Sequence, residues 1–547
     1  MTVPRGVLGV LALGALATLL AALPYETFDL ERHAVPKELA LVGTAAISAW
    51  LLVRRPRAVV LGRAEIALLA CAIWTMGSLV AAERWWPGIR AAGVTLAGIA
   101  VFLAASATGR AGRGRLLLGA LALAAALAVA TALAQAYGID SALFSRSRAP
   151  GGVFGNRNFM AHAGAVALAL LVPAVLRGGR AGSAVALATA GALMAGIVMS
   201  RSRAAWLAAA VGAVAFIVAA LLAGELARGA GGRRRIAALA GALAIGAAVA
   251  VLVPNRLDWR SDAPYLESLR GVADYRSGSG RGRLVQYRHS LEMVRDNPLL
   301  GVGPGNWSVA YPRYTRPGDP AFAAGQPVPT NPWPSSDWVG IAAERGLPGL
   351  ALLVIAGVLL TARAVARLTG KPDRRAAAVG GLTVLAVTLV IGCFDAQLLL
   401  PAPTLLILAG LGALLPAENP ALPGSLGEAA RRRLAMVVVV LGCVVGGRLL
   451  VEATAMHLYE QGGDLRMLAP KVDPGNYRIR ALLARNAADA GRCAEARRWA
   501  AAASARIPDA PFPKAVVRRC GATRAGSRRS ARGGPREVRD RSRTRAR

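Results

Sequence analysis

The chain has 547 residues, of which 55% are hydrophobic and 17% charged, with a mean hydropathy of +0.46. A soluble protein of this size carries about 25% charged residues, and the apolar residues here come in blocks long enough to cross a bilayer, divided by short Arg-rich breaks. This excludes a soluble globular enzyme, a secreted disulfide scaffold and a largely disordered chain, and the net charge of +35 does not indicate a nucleic-acid partner, because the positive-inside rule accounts for most of the Arg.

The fold class expected is an all-α polytopic membrane protein of about 12–13 transmembrane helices, without the strand alternation of an outer-membrane barrel. The blocks are 6–23, 37–53, 64–82, 89–108, 116–137, 159–176, 184–200, 204–223, 236–253, 347–365, 376–396, 403–416 and 434–452. The first is read as a retained helix, since Arg5 alone makes a weak signal-peptide n-region. The short block 403–416 is either a span or a re-entrant segment. Arg-rich breaks alternate along the chain, as at Arg54/Arg55/Arg57, Arg110/Arg113/Arg115, Arg177/Arg180 and Arg431/Arg432/Arg433. Those breaks belong on the cytoplasmic side, as does the N-terminus, which puts the C-terminus outside.

Two long segments then fall on the outer face. Residues 254–338 hold eight acids and ten Arg with many Pro, Tyr and Trp, too mixed for a linker, and predict a folded loop subdomain. Within it, Leu284, Tyr287, Leu291 and Val294 predict a helix over 281–296, stopped at Asn297-Pro298. The division expected is membrane helices over 1–253, the loop subdomain over 254–338, further membrane helices over 339–452, a helical segment over 453–520 and a disordered Arg-rich tail over 521–547. Residues 471–513 read as a helix-turn-helix whose Pro474 and Pro508 stand 34 apart, the tetratricopeptide period. Cys71, Cys393 and Cys443 lie in apolar blocks as packing residues, whereas Cys493 and Cys520 are expected to pair as a disulfide.

No metal motif, phosphate loop or nucleophile elbow is present in the sequence, so neither a metal nor a cofactor is expected. Attention falls on outer-side Arg that the positive-inside rule does not explain. Ser200-Arg201-Ser202-Arg203 joins two apolar helices, and is either a cap snorkelling to headgroups or an anion site. Arg281, Arg283 and Arg288 precede or lie on the loop helix. Asn156-Arg157-Asn158 begins another membrane helix, where the two Asn are either caps or donors to the same cavity.

These residues carry a resemblance. Arg283-x-x-x-Tyr287 with Asp296-Asn297-Pro298-Leu299-Leu300-Gly301-Val302-Gly303-Pro304-Gly305 resembles the hallmark of the O-antigen ligase and polymerase superfamily. So does Ala343-Glu344-Arg345-Gly346-Leu347-Pro348-Gly349. Ser202-Arg203-Ala204-Ala205-Trp206 is similar to that family's Ser-Arg motif, and Gly152-Val153-Phe154-Gly155-Asn156-Arg157-Asn158 to its Gly-x-Phe-Gly-Asn-Pro-Asn motif, with Arg157 where the family has Pro. The resemblance covers roughly residues 37–416, and some members carry C-terminal tetratricopeptide repeats.

The resemblance implies metal-independent glycosyl transfer, with inversion, from undecaprenyl pyrophosphate to an acceptor hydroxyl on the outer face of a bacterial inner membrane. Arg203 and Arg283 match the catalytic arginines. Arg201, Arg288, Asn156 and Asn158 are the expected substrate-binding residues. Ser335 stands where ligases carry an acceptor-activating His, so Asp337 is read as either the catalytic base or a helix cap. The partners implied are a lipid-linked glycan donor, a glycan or lipid acceptor, and a protein docking on 471–513. The other readings are a lipid-linked oligosaccharide flippase, which buried charge pairs at the midplane would mark, and a non-catalytic assembly protein.

Overall fold

The computed structural model describes residues 5–54, 59–225, 230–259, 261–271, 275–276, 278–316, 318–322, 327, 332–421 and 427–532. Helices and turns account for its regular structure, with no strand among the described residues. The first apolar blocks become α1 (Arg5–Leu20), α2 (Glu31–Val53), α3 (Arg63–Ser78), α4 (Trp85–Thr108) and α5 (Gly114–Ala136). After a loop come α6 (Arg157–Leu170), α7 (Val172–Arg177), α8 (Arg180–Met199), α9 (Arg203–Leu222) and α10 (Ala230–Leu252). The next segment folds as α11 (Pro264–Arg270), α12 (Gly278–Asp296) and the single turn α13 (Trp307–Ala310). The chain re-enters apolar sequence with α14 (Asp337–Arg367), α15 (Pro372–Phe394), α16 (Pro401–Leu414) and α17 (Glu428–Gln461), followed by α18 (Gly463–Val472).

Ten helical stretches among the described residues are long and apolar enough to cross a membrane, and one of them, Trp85–Ala136, joins α4 to α5 through a turn at Gly109–Arg113. Gly6–Leu20 and Pro401–Leu414 are apolar but shorter. The chain is an all-α multi-pass membrane protein. At about 1.5 Å per residue α16 is too short for a bilayer of about 30 Å. It is nevertheless the best-buried helix of the bundle, packed against α4, α6 and α15. Close approach explains why it carries small residues: a Cβ on Gly412 would stand 2.4 Å from the Phe102 carbonyl oxygen of α4.

Buried ion pairs tie the helices together at their ends. Arg90 of α4 donates to both carboxylate oxygens of Glu38 on α2 at 2.9 Å and to Glu452 on α17 at 2.6 Å. Arg448 of α17 adds Glu452 at 2.9 Å and Asp473 at 3.3 Å. Arg363 forks onto fully buried Glu65 at 2.7 Å through each nitrogen. Buried charge persists only where it is paired in this way.

The contact pattern divides the chain into two compact units, residues 1–321 with 331–473, and residues 322–330 with 474–547. The segment expected as a separate loop subdomain is thus, up to Ala321, part of the same unit as the membrane helices. Its interior holds a buried polar network. His289 Nδ1 and Asp319 Oδ2 are 2.9 Å apart, the Tyr311 hydroxyl reaches the same carboxylate at 3.1 Å, and Trp307 donates to Ser290 Oγ at 2.9 Å.

The second unit contains α19 (Tyr477–Asp489), α20 (Cys493–Ser504) and α21 (Pro511–Arg532). Asn476 caps α19 by accepting from the Ile479 amide at 3.1 Å. Ala481, Ala484 and Ala488 interlock with Ala496, Ala500 and Ala503, so the expected helix pair within 471–513 is present. Cys493 and Cys520 form the expected disulfide, with Cα atoms 5.4 Å apart. One expectation is corrected: residues 521–532 continue α21 instead of being disordered, since Ala, Arg and Ser extend a helix already anchored at Cys520. The rest of the expected tail, 533–547, lies outside the described residues.

Candidate functional site

Ser200-Arg201-Ser202 turns the chain from α8 into α9 in the shortest possible space. Arg201 adopts φ 55°, the left-handed region that side chains disfavour. Its guanidinium meets α11, donating from Nε to Ser268 Oγ at 2.8 Å and from Nη2 to Glu267 at 3.3 Å. It also stacks over the Trp259 ring, 4.7 Å from the centroid. Arg203 is the first residue of α9, so it projects from a helix N-terminus whose Ser202 gives no side-chain cap. Arg203 Nη2 donates to Ser279 Oγ at 2.7 Å, and Nη1 to the Gly271 carbonyl.

Arg157, the first residue of α6, lies over the other reach of the same indole at 5.4 Å. With Arg201, Arg203, Glu267, Ser268, Arg270 and Gly271 it lines an open cavity of about 500 Å³. Two helix N-termini, α6 and α9, therefore begin at a cavity that already holds four guanidinium groups. Aligned peptide dipoles add partial positive charge there, and Arg supplies paired donors suited to phosphate. The lining is rich in positive charge, four guanidinium groups beside the single carboxylate of Glu267 among the described residues.

Arg283 is absent from that lining. Its Nε donates to the Phe394 carbonyl at 2.9 Å, at the C-terminal end of α15. It stands one helical turn beyond Ser279 on α12, so α12 connects it to Arg203. Around Arg283 are Asp395, the first residue past α15, and Tyr287, whose hydroxyl lies between the carbonyls of Ser335 and Cys393. Burial pushes the Asp395 carboxyl up to about 6, and the charge of Arg283 pulls it the other way. Burial likewise raises the Tyr287 phenol. His162 on α6 is 1% exposed, has neither ring nitrogen hydrogen-bonded, and feels the charge of Arg283.

The other expected site residues are placed differently. Asn156 is the N-cap of α6, its side chain accepting from the Asn158 amide at 2.9 Å, so both residues serve the helix start. Arg288 is exposed and pairs with Glu292 along α12 at 3.6 Å. Asp337 does not cap its own helix, because Ser336 does so by accepting from Val339. It is fully buried, and its Oδ1 accepts from the amides of Gln397 and Leu398 at 2.9 Å each. It therefore latches the loop after Asp395. Asp395 itself was missed in the sequence because nothing local pairs it with Arg283, 112 positions earlier.

The glycine-rich hallmark turns out to be a scaffold. Val302 N donates to Ala343 O at 2.9 Å and Leu347 N to Pro298 O at 2.8 Å, clasping the loop after α12 to α14. Gly346 has φ 71°, and a Cβ there would meet the Leu299 carbonyl oxygen at 1.8 Å. Buried Glu344 accepts from the Trp307 amide at 3.4 Å. These contacts fix α12, and with it Ser279 and Arg283, against the bundle.

A multi-pass membrane protein with an arginine-lined cavity where two of its apolar helices begin is thus defined. Residues 184–354, from α8 into α14, match a family model described as O-Antigen ligase. That match contains Arg201, Arg203, Arg283, Arg288 and Asp337, and it supports placement in the O-antigen ligase superfamily and a function in membrane glycan transfer. No curated protein matches the chain.

Proposed function

We propose that the protein transfers a glycan from a lipid-linked diphosphate, of the undecaprenyl type, to an acceptor hydroxyl at the outer face of the bacterial inner membrane. The observation that carries this reading is the cavity lined by Arg157, Arg201, Arg203 and Arg270 at the start of α6 and α9. Arg203 and Arg201 grip the diphosphate, and Arg283 meets the reacting end. The acceptor oxygen bonds to the anomeric carbon, from the face opposite the leaving group, as the bond from that carbon to the diphosphate oxygen breaks. The electron pair departs on the lipid diphosphate, where guanidinium groups stabilise the growing charge without a metal.

The hydroxyl proton passes to Asp395, whose raised pKa of about 6 suits a base working near neutrality. Asp337 acts behind it as a positioning residue by holding the amides of Gln397 and Leu398. The disulfide between Cys493 and Cys520 supports an extracytoplasmic second unit, and its tetratricopeptide-like helix pair offers a surface to a protein partner. The test is a deletion strain carrying either the wild-type chain or Arg203→Ala. Lipid-linked polymer accumulating without transfer supports a ligase, and lipid-linked single units support a polymerase. Loss of units from the outer leaflet overturns glycosyl transfer in favour of a flippase.

A further inference from the structure

We infer that Arg157 makes the cavity selective for a lipid diphosphate whose attached sugar bears an additional negative charge, a carboxylate on the saccharide. The inference rests on the donor-site reading above and adds a substrate class to it. Among the described residues the cavity lining carries four guanidinium groups and one carboxylate, Glu267, which leaves three positive charges in excess (four minus one). A diphosphate linking a lipid to a sugar carries one negative charge on each phosphorus. It neutralises two of the three and leaves one cation without an anion.

Arg270 is exposed, where solvent screens its charge, and position singles out Arg157 among the other three. Arg203 is held by Gly271 and Ser279, and Arg201 by Ser268 and Glu267. The Arg157 guanidinium has its ring contact with Trp259 and no hydrogen bond among the described residues. Arg157 is also half-buried and fixed at its base, since Asn156 caps the helix that begins with it. Arg157 and Arg201 stack on one indole, 5.4 and 4.7 Å from its centroid. The two like charges gathered at one ring repel, and an anion bound beside them relieves that repulsion. The planar fork of Arg matches a carboxylate with paired donors.

The experiment uses the full chain in nanodiscs of zwitterionic lipid and two probes, farnesyl diphosphate linked to glucose or to glucuronic acid. The probes differ only in replacing a hydroxymethyl group by a carboxylate. The glucuronyl probe is expected to bind roughly tenfold more tightly, the size of one charge-assisted Arg contact. Added salt should shrink that ratio. Arg157→Lys keeps most of the preference, and Arg157→Gln brings the ratio of the two affinities close to one. Equal binding of the two probes by the wild-type chain overturns the inference and needs no variant to be folded. A preference that survives in Arg157→Gln overturns it as well. Failure of both probes to bind better than a farnesyl glucoside without the diphosphate overturns instead the donor-site reading on which it rests.

Discussion

Arg203 Nη2 lies 2.7 Å from Ser279 Oγ, and this bond joins the start of α9 to the first turn of α12. Ser279 and Arg283 share a face of α12 one turn apart, a rise of about 6 Å. Two arginines far apart in sequence are thereby held along one short helix segment.

Replacing Arg203 or Arg283 with Ala should lower transfer by about two to four orders of magnitude, measured with purified chain in proteoliposomes. The charge they meet grows in the transition state, so the loss should fall on kcat more than on KM. Lys should rescue only in part, since it lacks the planar fork. Ser279→Ala, which removes one bond of Arg203 and leaves the one to Gly271, should cost about tenfold or less.

The pH profile reports on Asp395. Its pKa is raised to about 6, so burial favours the neutral acid, and a base must be ionised. Transfer should therefore fall as pH drops through about 6. Arg283→Gln removes the charge that lowers this pKa, so the acidic limb of its residual activity should move to higher pH. The stability sign is opposite. A folded pKa above the unfolded value means that the favourable protonated form is lost as pH rises through about 6. Asp395→Asn should then melt higher than wild type at pH 8 while losing transfer. An unchanged acidic limb in Arg283→Gln would contradict the assignment.

Gly346→Ala separates scaffold from chemistry. Its φ of 71° and the Leu299 carbonyl leave no room for a Cβ. The variant should lose about 2 kcal/mol or more of stability, read as a lower melting temperature in detergent. Any surviving folded fraction should keep its affinity for a lipid diphosphate, because Gly346 does not line the cavity.

Sidedness is tested by labelling. Arg316→Cys and Ala501→Cys are exposed positions, the first chosen over neighbouring Gly318 because that glycine has φ 86°. With Cys71, Cys393 and Cys443 replaced by Ser, both should react with a membrane-impermeant maleimide applied from outside. Labelling of Arg316→Cys from the cytoplasm alone would overturn the catalytic orientation.

Cys493 and Cys520 should resist alkylation until a reductant is added. Cys493→Ser should lower the stability of the second unit by up to about 3 kcal/mol, the loop-closure value for a separation of this size.

The sequence by itself determined the membrane helices, because twenty apolar residues between Arg-rich breaks have one low-energy destination in a bilayer. It also determined that Arg201 and Arg203 needed an anion or a headgroup, since charge at that place is costly. The pairing of Cys493 with Cys520 was legible for a simpler reason, both lying outside the apolar blocks. Tertiary structure alone decided which cations meet. Arg157 reaches Arg201 only through the shared ring of Trp259, and Arg283 reaches Asp395 only because α12 packs beside the end of α15. It also buried Asp337 under the loop that it holds. Hydrophobic length is a local property that a chain carries in its order of residues. The field inside a cavity is a sum over groups from distant helices, and it exists only once they are packed.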